Sequence, residues 1–471
     1  MLLLEAARCG QRAVLLEQRD FGAGTSFNSL RIIHGGLRYL QSIDLPRFFE
    51  SVAERRWFLK AFPDLVRPLP CIMPIYNRGI RRMPLLRSAL WVNDLLSAKR
   101  NTGVSQACCL PDGRMLSPHE TQALFPAVRM TGLSGAACWY DAHMPDSQRV
   151  IMGTLRWACA LGAQAFNYVA VERVIKRGGA IAGVEAIDQE TGQKYEFRAE
   201  TVINATGPSA RAFAARSDKD VPGLFRPSLA WNVLFDCPAP SEYALALTPD
   251  RPGAHTYFLH PWKGRLLAGT GHQPWGRGLD EPAPDDAQME RFVADLNDVL
   301  PQAGLHAGNV VRVYSGFLPV EQAGGTKLSD RSVMHDHGRN GGPQGLYSVS
   351  GVKFTMARKE AERTMNCIVK ERRLGKMPPL DPQSRPLPNN PVASVDYEWM
   401  PPDSDSSWKK HLAALIKEES VIHLDDLVLR RTSIGDNPRR ARRLATQIAD
   451  VFDWDEQRRE QELSRLLQQL T

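Results

Sequence analysis

The chain has no run of about 18 or more apolar residues, which argues against a membrane-spanning helix. It has no CxxC pair either: eight cysteines are scattered along it, and only Cys108 and Cys109 are adjacent. Such spacing fits neither a zinc site nor a secreted disulfide framework, so no metal centre and a reducing compartment are expected. The opening residues, MLLLEAARCGQR, lack the basic segment and long apolar stretch of a signal peptide. Long-period repeats are missing, and so is any G-x-G-x-x-G. What is present is ordinary for a soluble globular protein: 471 residues, 43% apolar and 24% charged, enough for two or three domains. The net charge of +7 is modest and partly gathered in PRRARR (438–443). That run suits a solvated helix face best. Nucleic acid, an anionic membrane surface and an anionic substrate are the other partners a basic surface would serve.

Residues 1–9 read as the end of a helix capped by Gly10, and AVLLE (13–17) as a buried strand of a parallel sheet. A strand that follows a helix and ends in an acidic residue is the second half of a dinucleotide-binding βαβ unit, where the carboxylate accepts bonds from a ribose. Glu17 occupies that place. The sequence starts inside the helix, without the strand and glycine-rich turn that would hold a pyrophosphate. A start placed too late and a lost phosphate cradle would each explain this.

GAGTS (22–26) and SLRIIHGGLRYLQ (29–41) come next. They read either as a polar turn entering an amphipathic helix or as a loop built to lie against a cofactor. A helix is predicted over 44–61, extended chain over the proline-rich 65–76, and a helix over 85–100. A polar loop at 141–146 then leads into a helix to 162. Residues 168–208 read as a β-meander closing in NATG, and 223–320 as mostly β with one helix near 286–299. A strand, a glycine turn and a long helix fill 346–370. A linker rich in Pro and Asn at 375–395 separates an almost wholly helical remainder, 396–471.

Taken in order, AVLLEQRDFGAGTSFNSLRIIHGGLRYLQ, LVRPLPCIMPIY, ALWVNDLL, NATGP and SGVKFT resemble the FAD-dependent glycerol-3-phosphate dehydrogenases, within the glutathione-reductase-like and D-amino-acid-oxidase-like flavoproteins. The tail, with LDDLVLRRTSIG and FDWDEQRREQEL, is similar to that family's C-terminal cap. The resemblance implies an α/β fold with a FAD-binding Rossmann-like domain, missing its first strand and Gly-rich turn, a β-rich substrate domain and a C-terminal helical domain. FAD-binding segments would lie at about 1–45, 141–222 and 321–374, and substrate-domain segments at about 46–140 and 223–320.

By the same resemblance, Glu17 would bind the ribose of FAD, and Gly24, Thr25, Ser26 and Ser29 would belong to the loop under the pyrophosphate and ribityl chain. His34, Gly35 and Gly36 would run beside the isoalloxazine, the Gly pair admitting a flat ring against bare backbone. Val171 would touch the adenine, and Ala205, Thr206 and Gly207 would close over the adenosine side. Arg38, Tyr39, Arg331 and Lys353 form the implied catalytic set, whose cations would grip a phosphate monoester. Lys353 and Thr355 would also close near the flavin N1 and C2 carbonyl, where a cation stabilises the reduced ring. Two positions depart from the pattern. Leu318 stands where the family usually has an arginine, and Asn232 where it has a histidine to handle the hydroxyl proton, with His260 and His335 as replacements.

The implied function is oxidation of glycerol 3-phosphate or a related polyol phosphate by hydride transfer to FAD, with a quinone or another acceptor taking the electrons. The implied setting is cytoplasmic, peripheral on the inner face of the cytoplasmic membrane, with pairing as a homodimer and without nucleic acid. The alternatives are a FAD oxidase for another hydroxy acid or amine, and a truncated copy without activity.

Overall fold

Proline-punctuated and β-branched segments form the largest sheet. The computed structural model describes residues 1–76, 82–251, 253–279, 282–351, 353–373, 378–386 and 407–470. In it the strands run in the order Val310–Pro319, Pro227–Phe235, Arg265–Pro274, Tyr257–Trp262, Ala244–Leu247, Arg67–Ile75, Gly135–His143 and Ile32–Ile33. Arg114–Leu116 adds a further strand beside Gly135–His143. Pro68 and Pro70 are tolerated because the parallel contact with 244–247 pairs only Cys71 and Ile72, so their missing N–H groups break no bond of that ladder.

One face of the sheet packs on the helix Asp286–Val299, which starts with reciprocal bonds between Asp285 and Gln288. Its Phe292 and Leu296 join Trp231, Val233, Leu259 and Leu266 in one core. Side chains of the other face meet the loop at 22–36: Asn232 donates to the Asn28 carbonyl, and Phe258 packs on His34.

The parallel sheet is in two pieces. Val14–Leu16 pairs in parallel with Gln164–Phe166 alone. Val202–Asn204 pairs in parallel with Leu346–Ser350, itself antiparallel to Val333–Asp336. The strand expected to be buried is therefore an edge, and Val14 is 45% exposed because it is hydrogen-bonded on one side only. The meander forms as Val169–Arg177, Ala180–Asp188 and Lys194–Arg198.

The tail builds its own core from Ser407–Glu418, the wider helical turn Asp426–Arg431, Pro438–Ala449 and Glu456–Gln469. Much of the expected linker, together with 396–406, lies outside the described residues. The part that is described is anchored to the fold. Arg385 is buried, donates to the Ala61 carbonyl at 2.6 Å and pairs with Asp64, so this piece is packed on the 45–61 helix.

Buried ion pairs dock the tail. Asp20, at the entrance of the 22–36 loop, accepts from Arg431 Nη2 at 2.7 Å and Nη1 at 2.8 Å and also pairs with Arg430. Burial raises the pKa of Asp20, but the bonds and charges of Arg431 and Arg430 outweigh it and hold it at about 2. Arg149 pairs with Glu419 at 2.6 Å, and Tyr168 donates to Asp426 at 2.6 Å. Substituting Asp20→Ala leaves two buried guanidinium groups short of a partner and is expected to cost about 3–5 kcal/mol in urea unfolding. A loss below about 1 kcal/mol, the range of an exposed pair, would show that these pairs do not clamp the tail.

Candidate active site

An aspartate inside an apolar strand has to find donors. In GAACWYDAH (135–143) that residue is Asp141, which is buried. Its Oδ1 accepts from the Gly35 N–H at 2.6 Å and from Arg55 Nη1 at 2.9 Å. Its Oδ2 faces His34 Nδ1 at 3.2 Å and Trp139 Nε1 at 3.4 Å. Burial alone would raise this pKa, yet the bond and charge of His34, the charge of Arg55 and the Gly35 N–H hold it down to about 2. The polar loop expected at 141–146 is strand as far as His143, because Asp141, Ala142 and His143 pair with Leu69, Pro68 and Arg67.

This carboxylate orients the loop. With its Nδ1 hydrogen directed at Asp141, His34 has Nε2 as an acceptor. The side chain is 48% exposed, and its ring meets Phe258 edge-on with centroids 5.4 Å apart. The Gly pair has a reason other than a ring in front of it. A Cβ on Gly35 would lie 2.0 Å from Arg55 Nη1, and one on Gly36 would lie 2.9 Å from the Ser51 Cβ. Gly36 is also left-handed, with φ of 88°. Crowding by the Leu45–Ala61 helix behind the loop accounts for both glycines.

Gly36 starts the short helix Leu37–Gln41, which carries Arg38 and Tyr39. Lys353 Nζ lies 4.4 Å from the Tyr39 ring centroid, with the Arg38 and Arg47 guanidinium carbons at 5.6 and 5.7 Å. Burial, then the charge of Arg38, brings Lys353 down to about 8. Thr355 is buried in the following turn, Phe354–Met356. Arg331 stands apart on an exposed bend, although its neighbour Asp330 pairs with Arg47 at 3.0 Å.

Elsewhere along the loop, the Thr25 hydroxyl is occupied by the Phe317 backbone, donating at 3.3 Å and accepting at 3.2 Å. Gly24 offers its carbonyl to Asn28, Ser26 is exposed, and Ser29 accepts from the Arg31 N–H at 3.3 Å. Asn232 is buried, donating to Asn28 and accepting from Thr270 at 3.0 Å. A bulge between Trp231 and Asn232, opposite the bare Gly269, makes room for it. Asn232 therefore supports the loop from beneath. Leu318 pairs with Ser228, whose hydroxyl bonds the Leu318 carbonyl at 3.0 Å and His272 Nε2 at 2.7 Å.

Neither candidate replacement histidine joins His34. His260 is fully buried against His143, with ring centroids 5.1 Å apart and neither nitrogen bonded among the described residues. His335 packs on His337, with centroids 4.6 Å apart. Of His34, His260 and His335, His34 is the exposed one held by a buried carboxylate.

At the other end, Glu17 closes the 14–16 strand, and its Oε1 accepts from the Arg19 N–H at 3.0 Å. Leu16, Val171 and Val202 pack against one apolar cluster, and the Val169 N–H donates to the Glu17 carbonyl at 2.8 Å, which sets Glu17 beside the start of the 169–177 strand. Thr206 donates to Asn204 Oδ1 at 2.8 Å, and Gly207 is left-handed with open space where a Cβ would point. Both ends of a long dinucleotide thus find suitable groups: an acidic strand end here, and an oriented polar loop with cations there. No G-x-G-x-x-G turn lies between them among the described residues. Sequence reasoning did not single out Asp141 or Arg55. The available signal was one carboxylate in an otherwise apolar strand.

A family model of FAD dependent oxidoreductases matches residues 1–357. Over 411 residues the chain is 30% identical to a glycerol-3-phosphate dehydrogenase of Synechocystis sp., covering 84% of this chain and 72% of that protein. It is 30% identical over 379 residues to a probable mitochondrial glycerol-3-phosphate dehydrogenase of Caenorhabditis elegans, covering 78% of this chain and 50% of that one. The chain thus spans about half the length of the animal relative. Among solved structures, the glycerol-3-phosphate dehydrogenase from Bacillus halodurans complexed with FAD has a TM-score of 0.75 at 20% identity, over all of this chain and 91% of that one. That likeness establishes the α/β flavoprotein fold.

Asp141→Asn keeps an acceptor for Gly35 but strands the Arg55 charge, and is expected to cost about 3–5 kcal/mol at neutral pH. Because the folded pKa of Asp141 lies below the unfolded value of about 3.9, its contribution is full above about pH 5 and fades as pH falls toward about 2. The stability gap between wild type and D141N should therefore be level from about pH 5 to 8 and narrow below about pH 4. A gap unchanged at about pH 3 would count against a charge-based role.

Proposed function

As a member of the FAD dependent oxidoreductase family, this chain is a flavin enzyme, and we propose that it oxidises the secondary alcohol of glycerol 3-phosphate or a related polyol phosphate. The observation that carries the reading is an oriented, half-exposed histidine on a loop that runs into a short helix bearing part of a cationic cluster: His34 above Asp141, then Arg38, with Lys353 from a distant segment joining it around Tyr39. FAD would supply the acceptor for the hydride of the carbinol carbon. His34 takes the hydroxyl proton at Nε2, and the Asp141 carboxylate stabilises the imidazolium that results. Lys353 and Arg38 hold the phosphate oxygens, and Arg331 closes over them from its exposed bend.

Glu17, Val171, Ala205, Thr206 and Gly207 would hold the adenosine end of FAD. Gly24, Thr25, Ser26 and Ser29 would line its middle, and Gly35, Gly36 and Thr355 its ring. The relatives named as glycerol-3-phosphate dehydrogenases support the substrate class. A quinone or another acceptor takes the electrons, at the inner face of the cytoplasmic membrane. Among the described residues no helix is long and apolar enough to cross a membrane.

A second reading, an oxidase for a non-phosphorylated hydroxy acid or amine, draws on Leu318 and the Ser228–His272 pair beside it. An apolar side chain stands there in place of a further phosphate-gripping arginine.

Anaerobic addition of glycerol 3-phosphate to the flavin-loaded protein is expected to bleach the flavin absorbance. His34→Gln should retain flavin yet slow the bleaching by about 10²–10⁴. Lys353→Met removes a charge-assisted contact of about 1.5–3 kcal/mol and should raise the half-saturating substrate concentration at least about tenfold. Since Lys353 is charged below about 8, substrate affinity should fall as pH rises past that value in the wild type and not in K353M. Flavin that ignores glycerol 3-phosphate but bleaches with a hydroxy acid or amine would install the second reading.

A further inference from the structure

The PRRARR run takes no part in the site just described. It opens the Pro438–Ala449 helix, whose Ala441, Leu444, Ala445 and Ile448 pack into the tail's own core. Its arginines do not simply face bulk water. Arg439, Arg440, Arg442 and Arg443 line a cleft of about 420 Å³ together with Arg265, Asp236, Gly308 and the first residues, Val310 and Val311, of a strand of the large sheet. Five guanidinium groups therefore share one concavity with a single carboxylate. Asp236 is already divided between Arg265 at 3.2 Å and Arg439 at 3.6 Å. Arg442 is steadied by its bond to the Leu470 carbonyl at 2.8 Å.

Like charges gathered in a cleft focus a strong positive potential and raise the local concentration of anions. The planar fork of arginine matches phosphate oxygens two at a time. The volume falls within the range of small-molecule sites and exceeds what one phosphate group fills. We propose that this cleft binds a small molecule carrying two or more phosphate charges, at the junction of the large sheet and the C-terminal helices.

None of its lining residues belongs to the flavin or substrate site. The same junction is crossed by Lys263 pairing with Asp436 at 2.6 Å and by Arg312 donating to the Gly435 carbonyl at 3.1 Å. A bound anion adds a further tie between the two units. A free phosphorylated metabolite and the headgroup of an anionic lipid offer the same chemistry, and the test separates them.

The flavin-loaded full chain is titrated with inorganic pyrophosphate at constant ionic strength, by calorimetry and by thermal unfolding. Saturable binding and a raised unfolding temperature are expected. Affinity should drop at least about tenfold in Arg439→Gln/Arg443→Gln, two exposed side chains whose replacement spares the fold. Flavin bleaching by glycerol 3-phosphate should be the same in that variant, so failure here is distinct from failure of the proposed oxidation. Co-sedimentation with cardiolipin vesicles, whose headgroup carries two phosphates, that pyrophosphate displaces would assign the cleft to lipid headgroups. Pyrophosphate binding without vesicle binding would assign it to a free metabolite. A response no larger than that to chloride, or a double variant that binds as tightly as wild type, overturns the proposal.

Discussion

The buried carboxylate of Asp141 meets donors from three places in the chain: His34 and Gly35 on the loop, Arg55 on the 45–61 helix, and Trp139 on its own strand. An ion taken out of water is tolerated only when such a shell is complete, and removing one member exposes the rest to the desolvation cost. The shell therefore acts as a unit. Loop position, histidine tautomer and the register of the helix against the sheet are all consequences of satisfying one charge.

A second network repeats the logic at longer range. Asp20 and Arg431 are 411 residues apart in sequence, yet both are almost completely buried in the pair they form. Arg430 meanwhile spans Asp20, Asp425 and Asp426. The tail is thereby fastened to the start of the 22–36 loop instead of hanging from a connector. The cations on the face of Tyr39 differ in kind from these docking pairs. Lys353 is only partly buried, and the neighbouring charge that most affects it is another cation, Arg38. Such a group gains from an anion brought by a ligand.

What could be read in advance follows from range. The Asp286–Val299 helix was legible because its cap and its apolar stripe are local, and the meander because its turns are marked by glycine. His34, Arg38, Tyr39 and Lys353 were legible as residue types on two short motifs; folding brings Arg38 and Lys353 to the Tyr39 ring and sets His34 on Asp141. Three things were not legible. Asp141 looked like the start of a polar loop because its pairing with Leu69 is non-local. Thr25 looked available until Phe317 engaged its hydroxyl. The burial of Arg430 and Arg431 had no local signal, since nothing near them in sequence announces Asp20.

Gly35 and Gly36 are held bare by what lies behind them, Arg55 and Ser51. A ledge fixed from the rear has a consequence for mutation. A side chain placed at either glycine meets the 45–61 helix, so a substitution there shifts the course of the loop and not one contact alone.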